Sequence, residues 1–436
     1  MSATTGIALR YEGSLASLNE ALRRELVDRT SSVDTRVESA TREIIASVRV
    51  RGDAALLDLA RRFDNVDLAS VEVPRSALED ALGKLDPRLR KALERSARNV
   101  EAVHNAQLPR EISVEVEPGV VVSRRPDALE RVGVYAPGGT AAYASSVLMA
   151  AIPARVAGVR ELILCSPPGS TGIPSTFVLA AAAIAKVDRV FAAGGAGAIA
   201  AMTYGTASVP RVDRIVGPGN AFVAEAKAQL SRKVGIDSPA GPSELLVIAD
   251  DSANPRTIAL EMLAQAEHDS RAAVVAICVG EGVAAAIEAE LSTELEAQRR
   301  SEIIRNALSS RGGILAVADL GEAATFASEF AAEHLLIAAR DARTVASEVR
   351  NAGAIFIGES SSVAFGDYMT GGNHVLPTNG LGRWYSGLSV LDFIRWTSVQ
   401  TMSEAAAESL SPDTVAFAEA EGLPAHAATA AQWSVR

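Results

Sequence analysis

The chain has 436 residues, 48% of them apolar, enough to bury a substantial core and to divide into two or three domains rather than one. A net charge of −11 with no block of Lys or Arg argues against nucleic acid or an anionic membrane as the main partner, and a small-molecule substrate fits better. The opening MSATTGIALRYEGS lacks the basic-then-apolar order of a secretory signal, and the apolar windows around Val147–Ile152 and Val178–Ala185 fall short of the roughly 18 residues that span a bilayer, so a cytoplasmic protein is expected.

The first third predicts helices over Val33–Val48, Asp53–Arg62 and Pro87–Asn105. The last of these has Asp86 as N-cap and Pro87 at its first position, and Leu89, Leu93, Ala97, Val100 and Val103 give it one apolar face. His104 near its end reads as a surface or helix-end residue. ISVEV, the turn Glu117-Pro118-Gly119 and VVVSR then predict a β-hairpin.

From Arg131 the pattern changes to short β-branched runs that end in Gly/Pro loops and lead into Ala-rich helices: RVGVYAPGG, ELILCSPPGS, DRVFAAGGAG and DRIVGPGN. That is the rhythm of an open α/β sheet, whose ligands bind beyond the carboxyl ends of the strands. After Pro242 a second α/β series runs through ELLVIAD, a helix over Pro255–His268, AAVVAIC, GGILAVA, HLLIAA and AIFIGE, and the residues from about Leu388 look helical. The expected fold is therefore α/β: two Rossmann-like domains with incomplete doubly wound sheets and helical extensions at both ends. The expected division is an N-terminal extension over 1–32, a domain of 33–129 plus 243–388, a second domain over 130–242, and a C-terminal helical segment over 389–436.

The only two cysteines, Cys165 and Cys278, close strand-like runs and read as reduced core residues; no base neighbours Cys165 to make it a nucleophile. More informative are the five histidines, four of which sit beside other polar residues. In Gln265-Ala-Glu-His268, residues three apart on one helical face are able to point at one ion, although an isolated pair of this kind also fits a solvated helix end. Asp367 in FGDYMTGGNHVLPT and His426 in EGLPAH add a carboxylate and an imidazole for a mixed N/O site suited to zinc or another divalent metal. Glu333-His334, at a helix-to-strand junction, offers two bases with ordinary pKa values of about 4.3 and 6.5, and equally fits a helix-end Glu beside a strand-entry His. Gly195-x-Gly197-x-x-Ala200 formally matches a dinucleotide fingerprint and equally fits tight helix packing. Tyr135, before Pro137-Gly138-Gly139, and Asn220, after Gly217-Pro218-Gly219, lie at corresponding strand ends, suited to a ribose, amide or phosphate.

Together these segments resemble the histidinol dehydrogenase family along nearly the whole chain, on RVGVYAPGGTAAYASSVLMAAIPARVAGV, GGAGAIAAMTYGT, VDRIVGPGNAFVAEAK, PAGPSELLVIAD, LAQAEHDS, AAEHLLI, GDYMTGGNHVLPT, SGLSVLDF and EGLPAH. The resemblance implies oxidation of L-histidinol to L-histidine through an enzyme-held aldehyde, with two NAD+ used in succession. It implies one Zn2+ per subunit on Gln265, His268 and Asp367, with His426 entering from the other subunit of a homodimer. Zinc then orients the substrate rather than activating water. Ser243, Gln265, His268, His334, Asp367, Glu421 and His426 are implied substrate contacts, and His374 a support for the site's shape. By the same resemblance His334 is the base in both oxidations, Glu333 activates the water that hydrates the aldehyde, and Tyr135, Asn220 and the position of Gly197 meet NAD. Residues 130–242 become the NAD domain, and 389–436 the dimerisation segment.

The sequence departs from the family pattern at Gly197, where relatives carry a Gln used on the cofactor, at Ala144 in place of a Pro, and at Trp384-Tyr385. Relatives that oxidise other small polar diols, such as a sulfonated propanediol, make that the alternative substrate class. A zinc hydrolase using Glu333 on metal-bound water is less consistent with a middle hundred residues of nucleotide-binding type. A catalytically dead binding protein is less consistent with the presence of Glu333, His334 and all four implied ligands.

Overall fold

The computed structural model describes residues 7–29, 34–138, 143–239 and 241–434. Gly139, expected in a strand-end loop, lies outside the described residues.

Two six-stranded sheets carry the fold. The first runs, in spatial order, Glu72–Val73, Arg189–Ala192, Glu161–Ser166, Arg131–Tyr135, Arg214–Val216 and Gly235–Ile236, parallel except for the antiparallel edge strand Glu72–Val73. The second runs Tyr11–Ser14, Gly312–Val317, Ala273–Val279, Glu244–Ala249, His334–Ala338 and Ala354–Ile357, all parallel. Helices cover both faces, which is why central strands such as ELLVIA and AVVAICV are almost continuously apolar and buried. Both doubly wound units thus match the expected architecture.

The segments around these sheets differ from expectation in three places. Helices Thr35–Arg51 and Pro87–Ala106 bury their apolar faces mainly against helices of the first sheet, and Glu72–Val73 joins that sheet outright, while Asn99 Nδ2 donates to the Met369 carbonyl at 2.6 Å, so residues 35–106, grouped from sequence with 243–388, touch both units. The N-terminal segment is not purely helical, because Tyr11–Ser14 extends the edge of the second sheet beside Gly313–Ala316. The C-terminal segment opens with a nine-residue strand, Ile394–Met402, that pairs antiparallel with Val120–Ala128; the latter pairs in turn with Ile112–Glu117, completing the expected hairpin within a separate three-stranded sheet. A strand of such mixed polarity, IRWTSVQTM, shows no clear period of its own and is set by its partner.

Two glycines are required by close backbone approach. A Cβ on Gly217, at φ +115°, would lie 2.1 Å from the Tyr135 carbonyl oxygen, and one on Gly353 would lie 2.6 Å from that of Glu333. Both draw neighbouring strand ends together beside the site. His104 is buried rather than superficial, its Nδ1 3.0 Å from Gln107 Oε1, because the helix end that carries it is covered. Cys165 and Cys278 are buried thiols whose pKa values burial raises, consistent with core roles. No helix among the described residues is long and apolar enough to cross a membrane.

Candidate active site

The carboxyl ends of the first sheet's strands face the amino ends of the second sheet's strands across a cavity of about 390 Å³. The first sheet supplies Pro137, Gly138, Pro218, Gly219 and Asn220; the second unit supplies Ser243, Gln265, His268, Glu333, His334, Asp367 and His374. Ser243, Gln265, His268, Glu333 and His334 converge because each lies where the chain approaches or enters a parallel strand, and Asp367 and His374 are brought back to the same edge by the helix Val363–Tyr368 and the loop after the last of those strands.

Glu333 and His334 owe their placement to a helix stop. The helix Leu320–Phe330 ends at Ala331, which takes a left-handed conformation at φ 51° and turns the chain into the strand His334–Ala338. The Glu333 carbonyl accepts from Ala354 N–H at 2.9 Å, locking the backbone in register. Both side chains are buried, and both are fixed by the backbone of Glu244. Its N–H donates to Glu333 Oε2 at 2.8 Å, and its carbonyl accepts from His334 Nδ1 at 3.1 Å. A carbonyl only accepts, so Nδ1 carries a proton and Nε2 is the nitrogen left to act as base. Nε2 has no hydrogen-bond partner and lies 3.7 Å from Asp367 Oδ1.

Burial pulls the His334 pKa down, but the charges of Glu333 and Asp367 outweigh it and raise the group to about 10. Burial pushes the Glu333 carboxyl above its ordinary value, partly opposed by His334 and the Glu244 amide. Burial also works to raise Asp367, and there His334, His374 and His268 win and hold it low. In the metal-free chain both members of the pair are therefore raised, Glu333 by burial and His334 by its two carboxylate neighbours, so Nε2 serves as a base only once its proton has left and the charge of Asp367 is engaged elsewhere.

His374 has both ring nitrogens engaged, Nδ1 with the Asp367 carbonyl at 2.9 Å and Nε2 with Ser146 Oγ at 3.4 Å. It shapes the Asp367 loop and has no lone pair left for a metal. Gln265 is buried against the cavity, one turn after Glu261, whose carboxylate accepts from Val363 N–H and ties the helix to the segment preceding Asp367. Gln265, His268 and Asp367 therefore present one carboxamide, one imidazole and one carboxylate to a common space, a donor set that fits zinc if a further ligand joins it. Among the described residues no group of three or more His, Cys, Asp and Glu is placed to hold an ion.

The remaining sequence candidates lie elsewhere. Glu421 and His426 are exposed on the C-terminal helices and do not line this cavity. Tyr135 is buried behind the crevice, its hydroxyl accepting from Gly195 N–H at 3.1 Å, and Gly197 packs toward Leu59. Asn220 lines the cavity while capping the helix Ala221–Leu230, its Oδ1 accepting from Phe222 and Val223 N–H. Sequence inspection missed Glu244 and Thr378, the latter accepting from Gly241 N–H at the cavity wall. Nothing local marks either one; the hint available was the position of Glu244 beside Ser243 at the entry of an apolar strand.

A family model described as histidinol dehydrogenase matches residues 27–433. The chain is 44% identical over 414 residues to the histidinol dehydrogenase of Methanosarcina mazei, covering 95% of each chain, and 45% identical over 415 residues to that of Ralstonia nicotianae, covering 93% of each. Its fold matches the crystal structure of histidinol dehydrogenase from Elizabethkingia anophelis with a TM-score of 0.93 at 31% identity, over 98% of both chains.

Proposed function

The chain belongs to the histidinol dehydrogenase family, an oxidoreductase family, and on that premise we propose that it oxidises L-histidinol to L-histidine by way of L-histidinal, using two NAD+ in succession. The observation that carries this reading is Glu333-His334, buried side by side and oriented by a single backbone unit, with His334 Nε2 left as the base.

In the first oxidation His334 Nε2 takes the proton of the carbinol hydroxyl as the hydride departs. Glu333 Oε2 is engaged by the Glu244 amide, leaving Oε1 to accept a proton from the water that adds to the aldehyde. His334 then takes the hydroxyl proton of the hydrate in the second oxidation. Each step needs a base that discharges its proton before the next, and two neighbouring bases of different kind suit that sequence. NAD+ would supply the hydride acceptor when bound, and residues 130–242 would hold it, with Asn220 at the N-terminus of its helix a candidate contact. Gln265, His268 and Asp367, with His426 of the partner subunit, would hold one zinc that orients the imidazole and amine of the substrate. Ser243 and Glu421 complete the substrate contacts, residues 389–436 form the dimerisation segment, and the protein works in the cytoplasm, where its two buried thiols stay reduced.

Two measurements test the proposal. NADH formation should be supported by histidinol and not by a sulfonated propanediol; the reverse preference would move the chain to the other substrate class. His334→Ala should lower turnover by about 10²- to 10⁴-fold while zinc content holds and the protein stays folded at the assay temperature, and near-normal turnover would remove His334 from the chemistry.

A further inference from the structure

Glu244 opens the strand Glu244–Ala249 and touches both members of Glu333-His334 through its backbone alone. Its side chain points the other way and is 1% exposed. There Oε1 accepts from Arg29 Nε at 2.7 Å and from Asn379 N–H at 2.9 Å, while Oε2 accepts from Arg29 Nη2 at 3.1 Å. Arg29 is 4% exposed and its remaining donors are spent on main-chain carbonyls: Nη2 on Phe330 at 2.7 Å, and Nη1 on Leu26 at 3.2 Å and Val27 at 3.1 Å. The guanidinium also lies 3.5 Å from the centroid of the Phe330 ring. Phe330 is the last residue of the helix that precedes Glu333.

One ion pair thus grips both approaches to the catalytic residues, the strand entry at Glu244 and the helix end at Phe330, together with the Asn379 amide beside the cavity-lining Thr378. Stability alone does not explain it, since a buried pair gives up solvation that apolar residues of similar volume do not, and such replacements are often neutral or stabilising. What apolar side chains cannot reproduce is direction. The guanidinium fork and the carboxylate together fix a carbonyl, an amide and a strand terminus in one geometry.

We propose that Arg29 and Glu244 are positioning residues for the dehydrogenase reaction: from the N-terminal segment they hold the backbone unit that sets the Glu333 rotamer and the His334 tautomer. This rests on the roles given above to Glu333 and His334. Displacing a base by about 1 Å costs on the order of 10²-fold in rate, whereas a remote nucleotide contact is untouched. The pair therefore acts on turnover rather than on cofactor affinity.

The test compares the zinc-supplemented full-length enzyme with Glu244→Gln, the double variant Arg29→Met/Glu244→Leu and the conservative Arg29→Lys. For each, kcat, the KM for NAD+ and the urea midpoint are measured. The proposal expects kcat to fall about 10- to 100-fold in Glu244→Gln and in the double variant, the KM for NAD+ to stay within about threefold, the double variant to keep a wild-type urea midpoint, and Arg29→Lys to recover part of the loss. A folded double variant with kcat within about twofold of wild type overturns it, as does a fall in kcat that simply tracks the urea midpoint across the series. If the double variant does not fold, the isosteric Glu244→Gln decides by the same thresholds. His334→Gln is assayed alongside. An inactive His334→Gln with normal pair variants overturns only the positioning role, whereas an active His334→Gln overturns the catalytic reading beneath it.

Discussion

His334 stands between two carboxylates, and its titration is accordingly a linkage between site and stability. In the metal-free chain its folded pKa is about 10, against an ordinary value of 6.5, after burial has been outweighed by Glu333 and Asp367. A raised folded value means that the protonated imidazole contributes stability fully below about pH 6.5, and that this contribution fades as pH rises through about 10. The difference in urea midpoint between metal-free wild type and metal-free His334→Gln should therefore shrink across that window. A difference flat with pH would contradict the opposing-charge account. Gly197 poses a different question, because a Cβ there would lie 2.6 Å from Leu59 Cδ1. The space that a side chain would take is filled by Leu59, so restoring the family Gln must displace it. Gly197→Gln alone should cost about 1–3 kcal/mol, and combining it with Leu59→Ala should show a coupling of about 0.5–3 kcal/mol in chemical denaturation. Additive effects would mean that the two positions do not compete for space.

At the scale of elements, Asn220 combines a structural duty with a proposed one. Its Oδ1 caps the helix Ala221–Leu230, and its side chain lines the cavity. Asn220→Ala should lose about 0.5–2 kcal/mol of stability along with NAD+ affinity. Asn220→Asp keeps the cap but sets a negative charge where phosphates are expected, so it should raise the KM for NAD+ without loss of stability; equal affinity in Asp and wild type would place the phosphates elsewhere. The Asp86 cap was legible in sequence because Pro87 follows it at the first helical position, whereas the cap role of Asn220 was not read there, and the strands were legible because burial on both faces makes them apolar throughout. Glu333-His334 was visible as a pair, but its geometry was not. The Arg29–Glu244 contact joins residues 215 positions apart, and no local pattern encodes it. For the same reason the sequence does not say which sheet the helices over 35–106 cover: their apolar faces declare that they pack, not what they pack on.

At the scale of the molecule, the cavity and the C-terminal helices belong to one proposed site yet lie apart in a single chain. Helices Glu404–Ala420 and Pro424–Ala431 pack on each other, with Phe417 70% exposed, and the adjoining hairpin strand exposes Ile112, Val114 and Val116 by more than half. Such exposed apolar area calls for a cover, and in the proposed homodimer a second copy would supply both the cover and the missing imidazole. Within one chain, Gln265, His268 and Asp367 provide three donors, and His426 is on the outside. The proposed twofold arrangement would give two sites, each built from the cavity of one subunit and the C-terminal helices of the other. His334→Ala disables the cavity half and His426→Ala the C-terminal half, so each homodimer should be inactive. Co-refolded at equal amounts, about half of the dimers are mixed, and each mixed dimer contains one site with both halves intact. Activity should return to roughly a quarter of the wild-type level per subunit, while the same two substitutions placed in one chain and mixed with either single variant should return less. Zinc content should stand at roughly half of the wild-type level, because half of all sites receive an intact His426 whichever base they carry. If mixed dimers are confirmed by mass and no activity returns, the site is closed within one chain, and the C-terminal helices must reach their own cavity by a movement that the described packing does not contain.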